Sequence, residues 1–142
     1  MNTHSLSPQD ALVAVMVAVS AADERVSERE LEWIFSIINL LPVFRDYDRD
    51  RVTNVIGLVS DLFEEEDGID ALVGLVDQAL PDHLHETAYA LACDVAAADG
   101  AIEMTELKLL EILRHDLDVD RLTSAAIERG ARARHRRLDL GG

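Results

Sequence analysis

The chain has little that would cross-link it or carry it through a membrane. It contains one cysteine, Cys93, so no disulfide can form within it and an oxidising compartment has no support. The segment from Met1 to Asp10 lacks a basic stretch followed by an apolar one, so no signal peptide is predicted. The longest nearly continuous apolar run, residues 11–22, is too short to span a bilayer. We therefore expect a cytoplasmic protein without a transmembrane segment.

Aromatic residues and glycine-rich loops are also scarce. Phe, Trp and Tyr together make up 4% of the residues, whereas apolar residues as a whole make up 49%, so the core must be built from aliphatic side chains. The seven glycines do not form a phosphate-binding loop. Neither a His-Glu-x-x-His pair nor a nucleophile elbow occurs. We therefore expect a protein that is not an enzyme.

Basic residues are few and unevenly spread. The formal net charge is −15, with 13 Lys and Arg against 28 Asp and Glu. Five arginines lie close together near the C-terminus: Arg129, Arg132, Arg134, Arg136 and Arg137. The rest of the chain is therefore even more acidic, repels phosphate backbones and attracts cations or basic partners. General nucleic-acid binding is not expected.

Apolar residues recur at helical spacing almost throughout, and no segment shows the alternation of a half-buried strand. Ser7 with Pro8 marks one helix start, and Ser27 with Glu30 forms a capping box at the next. Seven helices are predicted, beginning near Pro8, Ser27, Asp48, Asp67, Pro81, Met104 and Asp118 or Asp120. The predicted core includes, in the last four helices, Ile69, Leu72, Val73, Val76, Leu84, Ala88, Leu91, Val95, Leu107, Leu110, Leu113 or Ile112, Leu122, Ala125, Ala126 and Ile127.

The most informative feature is an internal repeat at an offset of 76 residues. Residues 21–31 read AADERVSEREL and residues 97–107 read AADGAIEMTEL. Both copies follow an alanine-rich apolar helix and precede an amphipathic one, so each predicts a helical hairpin. We expect an all-α fold with these two hairpins related by a pseudo-twofold axis, in a single bundle. The domain would comprise residues 1–142, with a core of 8–130 and a basic tail of 129–142.

This duplicated pattern resembles the TerB family of tellurite-resistance proteins. The likeness rests on Ala21-Ala22-Asp23 with Glu30-Leu31, on Ala97-Ala98-Asp99-Gly100 with Ile102, Glu106 and Leu107, and on Ala125-Ala126-Ile127-Glu128. The resemblance implies a helical fold without a known catalytic reaction and a role in the response to tellurite, metal ions or other stress. It also implies metal ligands at Asp23, Glu30, Asp99 and Glu106. Glu24 stands where the second copy has Gly100, so the two turns need not share one geometry.

Two interpretations of these acids stay open. Asp23 and Asp99 could converge across the pseudo-twofold axis and bind a divalent cation together with Glu30, Glu106, Glu24 or Glu103. Alternatively, the aspartates close the turns and the glutamates cap the following helices. A regular EF-hand is not expected, because Val95 and Ala97 occupy two of its ligand positions. His83 and His85 cannot bind one ion from a regular helix, and a surface location is expected for both.

The arginine-rich tail is the second candidate site. Arg129, Arg132 and Arg136 would line one helical face and could bind an acidic protein, an anionic lipid surface or RNA. Alternatively, this stripe folds back onto the acidic body of its own chain or of a neighbour. The leading function is a non-enzymatic binding module of the stress response, with a divalent cation as its candidate cofactor. The other is a scaffolding adaptor that binds a protein and uses the acids only structurally. A homo-oligomer is compatible with either.

Overall fold

The computed structural model describes residues 6–22, 26–98 and 104–138, and these residues form seven α-helices without a strand. The all-α prediction with seven helices is confirmed. Within this part of the chain no helix is long and apolar enough to cross a membrane. The helices are α1 (Pro8–Ser20), α2 (Glu28–Leu40), α3 (Arg51–Phe63), α4 (Gly68–Ala79), α5 (His85–Ala98), α6 (Met104–Asp116) and α7 (Arg121–Arg134), with 3-10 turns at Pro42–Phe44 and Asp82–Leu84.

Helix α1 lies at the centre of the bundle. Every residue from Asp10 to Ser20 is buried, and α2, α3, α4, α5 and α6 all pack against it. Because its apolar residues cover all faces, α1 is stable only when helices surround it. Each buried valine or leucine contributes about 1.5–3 kcal/mol relative to an exposed one. The sequence has apolar residues on nearly every face of this helix, which predicts a central place in the domain, and the observed burial confirms that prediction.

The two halves of the chain repeat the same packing pattern. In the first half α1 contacts α2 and α3, and in the second half α5 contacts α6 and α7 in the same way. The two leading helices, α1 and α5, also pack against each other, and each touches the second helix of the other half. Adding the repeat offset of 76 to the bounds of α2, residues 28–40, reproduces those of α6, residues 104–116. The predicted pair of related hairpins therefore forms the middle of the fold, and α4 packs between the halves.

Side-chain caps begin three of the helices. Ser7 Oγ accepts a hydrogen bond from Asp10 N at 3.0 Å, and Asp120 Oδ1 accepts one from Thr123 N at 2.7 Å. At the start of α2 the predicted capping box is present, because Ser27 and Glu30 each accept the backbone N–H of the other. These caps satisfy amide groups that have no partner within the helix.

The structure corrects the predicted core in three helices. Leu122 is 83% exposed, Ala125 and Ala126 are also exposed, and α7 instead buries Ser124 and Ala131. Helix α7 packs mainly on α5, and one neighbour covers only one strip of a helix, so the strip cannot include every apolar residue. Ile69 of α4 and Leu107 of α6 were also expected inside but are 36% and 43% exposed.

One ionic contact joins the N-terminal ends of α1 and α3. The Asp10 side chain is 2% exposed, and its carboxylate accepts hydrogen bonds from the Arg51 guanidinium and, at 2.8 Å, from the Tyr47 hydroxyl. Burial alone would raise the pKa of Asp10, but these donors and the Arg51 charge lower it below its ordinary value. In the sequence Asp10 stands in the first turn after the Ser7 cap, where an acid suits a helix N-terminus, and no local spacing links it to Arg51.

We predict that Asp10→Asn destabilises the fold by about 2–3 kcal/mol, because it removes a charged acceptor from a buried site. Since the folded pKa of Asp10 is depressed, its stabilising contribution is complete above the unfolded value of 3.8 and is lost as pH falls through the folded value. Urea unfolding across the acid range should therefore show a flatter pH dependence for the variant. The matched control is Asp61→Asn, on the exposed side of α3. Equal losses for both variants would contradict this role.

Candidate functional site

The predicted metal ligands are only partly within the described structure. Asp23, Glu24, Asp99 and Glu103 lie outside the described residues. Glu30 and Glu106 lie within it, in the first turns of α2 and α6. Within residues 6–22, 26–98 and 104–138, no three His, Cys, Asp or Glu side chains are grouped closely enough to hold a metal ion. Any cation site at the turns would therefore depend on the acids outside these ranges.

Glu30 and Glu106 occupy equivalent positions but different environments. Glu30 is half-buried, and its Oε1 accepts the Ser27 N–H at 2.9 Å, which leaves Oε2 without a hydrogen bond to the described residues. Glu106 is 5% exposed and also interacts with another group, so it is not a free carboxylate. Glu30 can therefore cap its helix and still offer one carboxylate oxygen to a ligand.

A pocket of about 240 Å³ lies beside Glu30, between α2, the end of α5 and the residue that follows α7. Val95 and Ala98 contribute its aliphatic surface, and Ala98 is the residue immediately before Asp99. Glu30 belongs to the first copy of the repeat and Ala98 to the second. The two copies of the repeat therefore meet at this pocket. Its lining residues are Arg29, Glu30, Trp33, Val95, Ala98 and His135.

The end of α7 closes one side of the pocket. The His135 ring meets the Trp33 ring edge to face, with centroids 5.6 Å apart and planes at 87°. His135 Nε2 is 3.5 Å from Asp94 Oδ1, and Arg134 donates a 2.6 Å hydrogen bond to the same oxygen. Trp33 Nε1 is buried without a hydrogen-bond partner in the described part of the chain. Sequence reasoning missed this contact, because Trp33 and His135 are about a hundred positions apart.

The three arginines of the predicted stripe lie differently. Arg129 and Arg132 are exposed on α7, whereas Arg136 is exposed beyond the last helical residue, Arg134. The stripe therefore continues along one helical face only as far as Arg132. None of the three forms an ion pair with the described residues, whereas Arg134 folds back onto Asp94 of α5.

Of the two histidines predicted to lie at the surface, one does and the other does not. His83 is exposed, but the His85 side chain is only 16% exposed, and its Nδ1 lies 3.0 Å from the Leu117 carbonyl oxygen. His85 Nε2 is 3.6 Å from an Asp77 carboxylate oxygen. The ring therefore joins the start of α5 to the end of α4 and the segment before α7.

The fold and the pocket define a class: an all-helical module with two repeated hairpins that meet beside a small mixed-polarity pocket. The family model described as "Tellurite resistance protein TerB" matches residues 9–129. The chain belongs to the TerB family. This match confirms the resemblance carried by the duplicated motif. No curated protein and no solved structure gives a significant match to the chain.

The single thiol is chemically inert in this structure. Cys93 is buried on α5, and burial raises its pKa to about 12, with the Glu128 and Asp94 carboxylates adding to the rise. The Tyr89 hydroxyl is itself tied to Glu128 Oε2 at 2.6 Å, and its pKa is also raised, first by burial and then by that bond. Neither group is available as a nucleophile near neutral pH.

We predict that native protein does not react with a thiol reagent such as Ellman's reagent near neutral pH. With a pKa of about 12, only about one thiol in 10⁴ is ionised at about pH 8. Addition of guanidinium chloride should release one reactive thiol per chain. Rapid labelling of the native chain would show that Cys93 is accessible and would contradict the inert assignment.

Proposed function

We propose that this chain is a non-catalytic binding module of the tellurite, metal-ion or general stress response, and that it works in the cytoplasm. The observation that carries the proposal is the shared pocket at which Glu30 of one repeat meets Ala98 of the other. The two turn motifs border this part of the bundle in sequence, because Asp23 precedes α2 and Asp99 follows α5. A module with a duplicated acidic motif suits a ligand bound between the copies.

The ligand we propose is a divalent cation held by Asp23, Asp99, Glu30 and Glu106, with Glu24 or Glu103 completing the set. Carboxylate oxygens are the donors that hard divalent cations prefer. Glu30 supports this assignment because its Oε1 caps α2 while its Oε2 accepts no hydrogen bond from the described residues. The net charge of −15 also raises the local concentration of cations around the chain.

The environments of the side chains that could act as nucleophile or base support a binding function rather than a catalytic one. The Cys93 thiol is held protonated, and the Tyr89 hydroxyl donates to Glu128. The His85 ring is tied to a backbone carbonyl oxygen. Each of these side chains serves packing or a structural hydrogen bond, so none is poised to act as a nucleophile or base.

The second candidate is a scaffolding adaptor, which the pocket itself favours. Trp33, Val95 and Ala98 present apolar surface, and Arg29 and His135 add cationic or hydrogen-bonding groups at its border. Aromatic and arginine side chains are the groups that most often anchor protein partners. Here the turn acids would only hold the helix ends, as the capping box of Glu30 already does.

Thermal unfolding of chelator-stripped protein tests the cation proposal. An ion that binds only the folded state adds about 2.7 kcal/mol at about 100 times its dissociation constant. For a domain of this size that is an increase of several degrees in Tm. We expect one of calcium, magnesium, manganese or zinc to give such an increase, and Asp23→Asn with Asp99→Asn to abolish it.

The decisive variant is Glu30→Gln. Glutamine keeps the capping box but removes the charge, so the ion-free stability should change by less than about 0.5 kcal/mol while the ion-induced increase in Tm falls. Glu64→Gln with Glu65→Gln, in the exposed acidic run between α3 and α4, removes two charges elsewhere and should leave the increase intact. An unchanged Tm with all four ions would favour the adaptor function.

Manganese also allows the site to be located through Trp33, the only tryptophan of the chain. Glu30 and Trp33 are three positions apart on α2 and share a helix face. A paramagnetic ion bound beside Glu30 should therefore quench Trp33 fluorescence over the same concentration range that raises Tm. A rise in Tm without quenching would place the ion away from this pocket.

A further inference from the structure

Helix α7 presents an exposed face that is made of apolar and cationic residues on an otherwise acidic protein. Its members lie at spacings of three and four residues, within about a third of the helix circumference. We call this the α7 outer face: Leu122, Ala125, Ala126, Arg129, Arg132 and Ala133, all exposed. Its apolar end is Leu122, which is 83% exposed, and its cationic end holds the two arginines.

The opposite side of α7 is firmly attached to α5. Glu128 accepts the Tyr89 hydroxyl at 2.6 Å, and Arg134 donates to Asp94 at 2.6 Å. From the first contact to the second, the residue number rises on both helices, from 89 to 94 on α5 and from 128 to 134 on α7. Helix α7 therefore runs parallel to α5. Ser124 and Ala131 are buried on the same side of α7. Because the opposite side of α7 is attached to α5, the outer face points away from the bundle along the length of the helix.

The charge of this face is not neutralised by the described part of the chain. The protein carries 28 acidic residues, yet Arg129 and Arg132 form no ion pair with the residues described, while Arg134 on the same helix does. A cationic strip that forms no ion pair with the described residues, on a protein of net charge −15, attracts negatively charged groups. Arg129 and Arg132 are three positions apart, which is also the spacing of acids on one face of a partner helix.

We propose that the α7 outer face docks an acidic amphipathic helix of another protein. Leu122 packs against an apolar residue of that helix, the alanines allow the two backbones to approach closely, and Arg129 and Arg132 pair with its carboxylates. The face extends about 16 Å from Leu122 to Ala133, which corresponds to about three turns of a partner helix. This surface is separate from the Glu30 pocket and does not depend on cation binding there.

Charge and shape favour an acidic helix over a second copy of this chain, a nucleic acid or a lipid bilayer. Two copies of α7 packed face to face would bring arginines together, and the acid-rich segment Glu64–Asp67 of another copy has no apolar residue to pack against Leu122. Nucleic acid meets repulsion from the acidic body. One exposed leucine cannot embed a helix in a bilayer.

Fluorescence anisotropy with the full chain and a labelled, designed peptide of about three heptads tests the proposal. The probe carries leucine and glutamate along one helical face. We expect saturable binding that weakens about tenfold or more in Arg129→Glu with Arg132→Glu, because two attractive pairs become repulsive. A probe with lysine in place of glutamate should bind that variant better than it binds the wild type.

The control variant is Arg45→Glu with Lys108→Glu, which changes the net charge by the same amount at exposed positions on other elements. The proposal requires this variant to bind the acidic probe as the wild type does, and a sequence-scrambled probe to bind about tenfold more weakly. It is overturned by absence of saturable binding, by equal loss in the control variant, or by equal binding of the scrambled probe. Arginine-dependent binding of single-stranded RNA or phosphatidylglycerol vesicles, with no binding of the acidic probe, would also overturn it.

Discussion

The complete burial of α1 is the constraint on which the rest of the structure depends. A helix that is apolar on all its faces must be enclosed, and five other helices pack around it. Enclosure also buries Asp10, whose carboxylate is tolerated only because Arg51 and Tyr47 bind it. The same enclosure brings α5 alongside α1, and with it the second copy of the repeat. The position of the candidate site therefore follows from the burial of a single helix.

The repeat explains why a pocket forms where it does. Each half places a short turn between a buried helix and an amphipathic one, and the packing of α2 against α5 brings Glu30 of one half beside Ala98 of the other. The last residue of α7, Arg134, then contacts Asp94, and the next residue, His135, contacts Trp33. This contact is an asymmetric feature of a partly duplicated fold, in which α7 also follows a shorter connection than α3.

The α7 helix illustrates a conflict between sequence pattern and packing. Its apolar residues Leu122, Ala125 and Ala126 favour one buried face, but Ser124 and Ala131 are buried instead. Small side chains on that second face allow α7 to approach α5, and the bonds of Tyr89 with Glu128 and of Asp94 with Arg134 orient it there. Two hydrogen bonds to charged groups of α5 and α7, together with the packing of Ile127 and Ala131, outweigh the burial of Leu122 and two alanines. The apolar residues left outside, next to Arg129, then become surface that a partner can use.

The sequence by itself determined the helical class, the number and approximate bounds of the helices, the caps at Ser7 and Ser27, and the central place of α1. These features depend on local spacing and on side chains within one turn of each other, which a linear pattern records. Only the tertiary structure decided which partner neutralises Asp10, which side of α7 faces the core, and that Trp33 meets His135. Those contacts join residues tens of positions apart, so they form only once the helices have packed at particular crossing angles. Their pairing is therefore a property of the packed bundle and cannot be read from spacing along the chain.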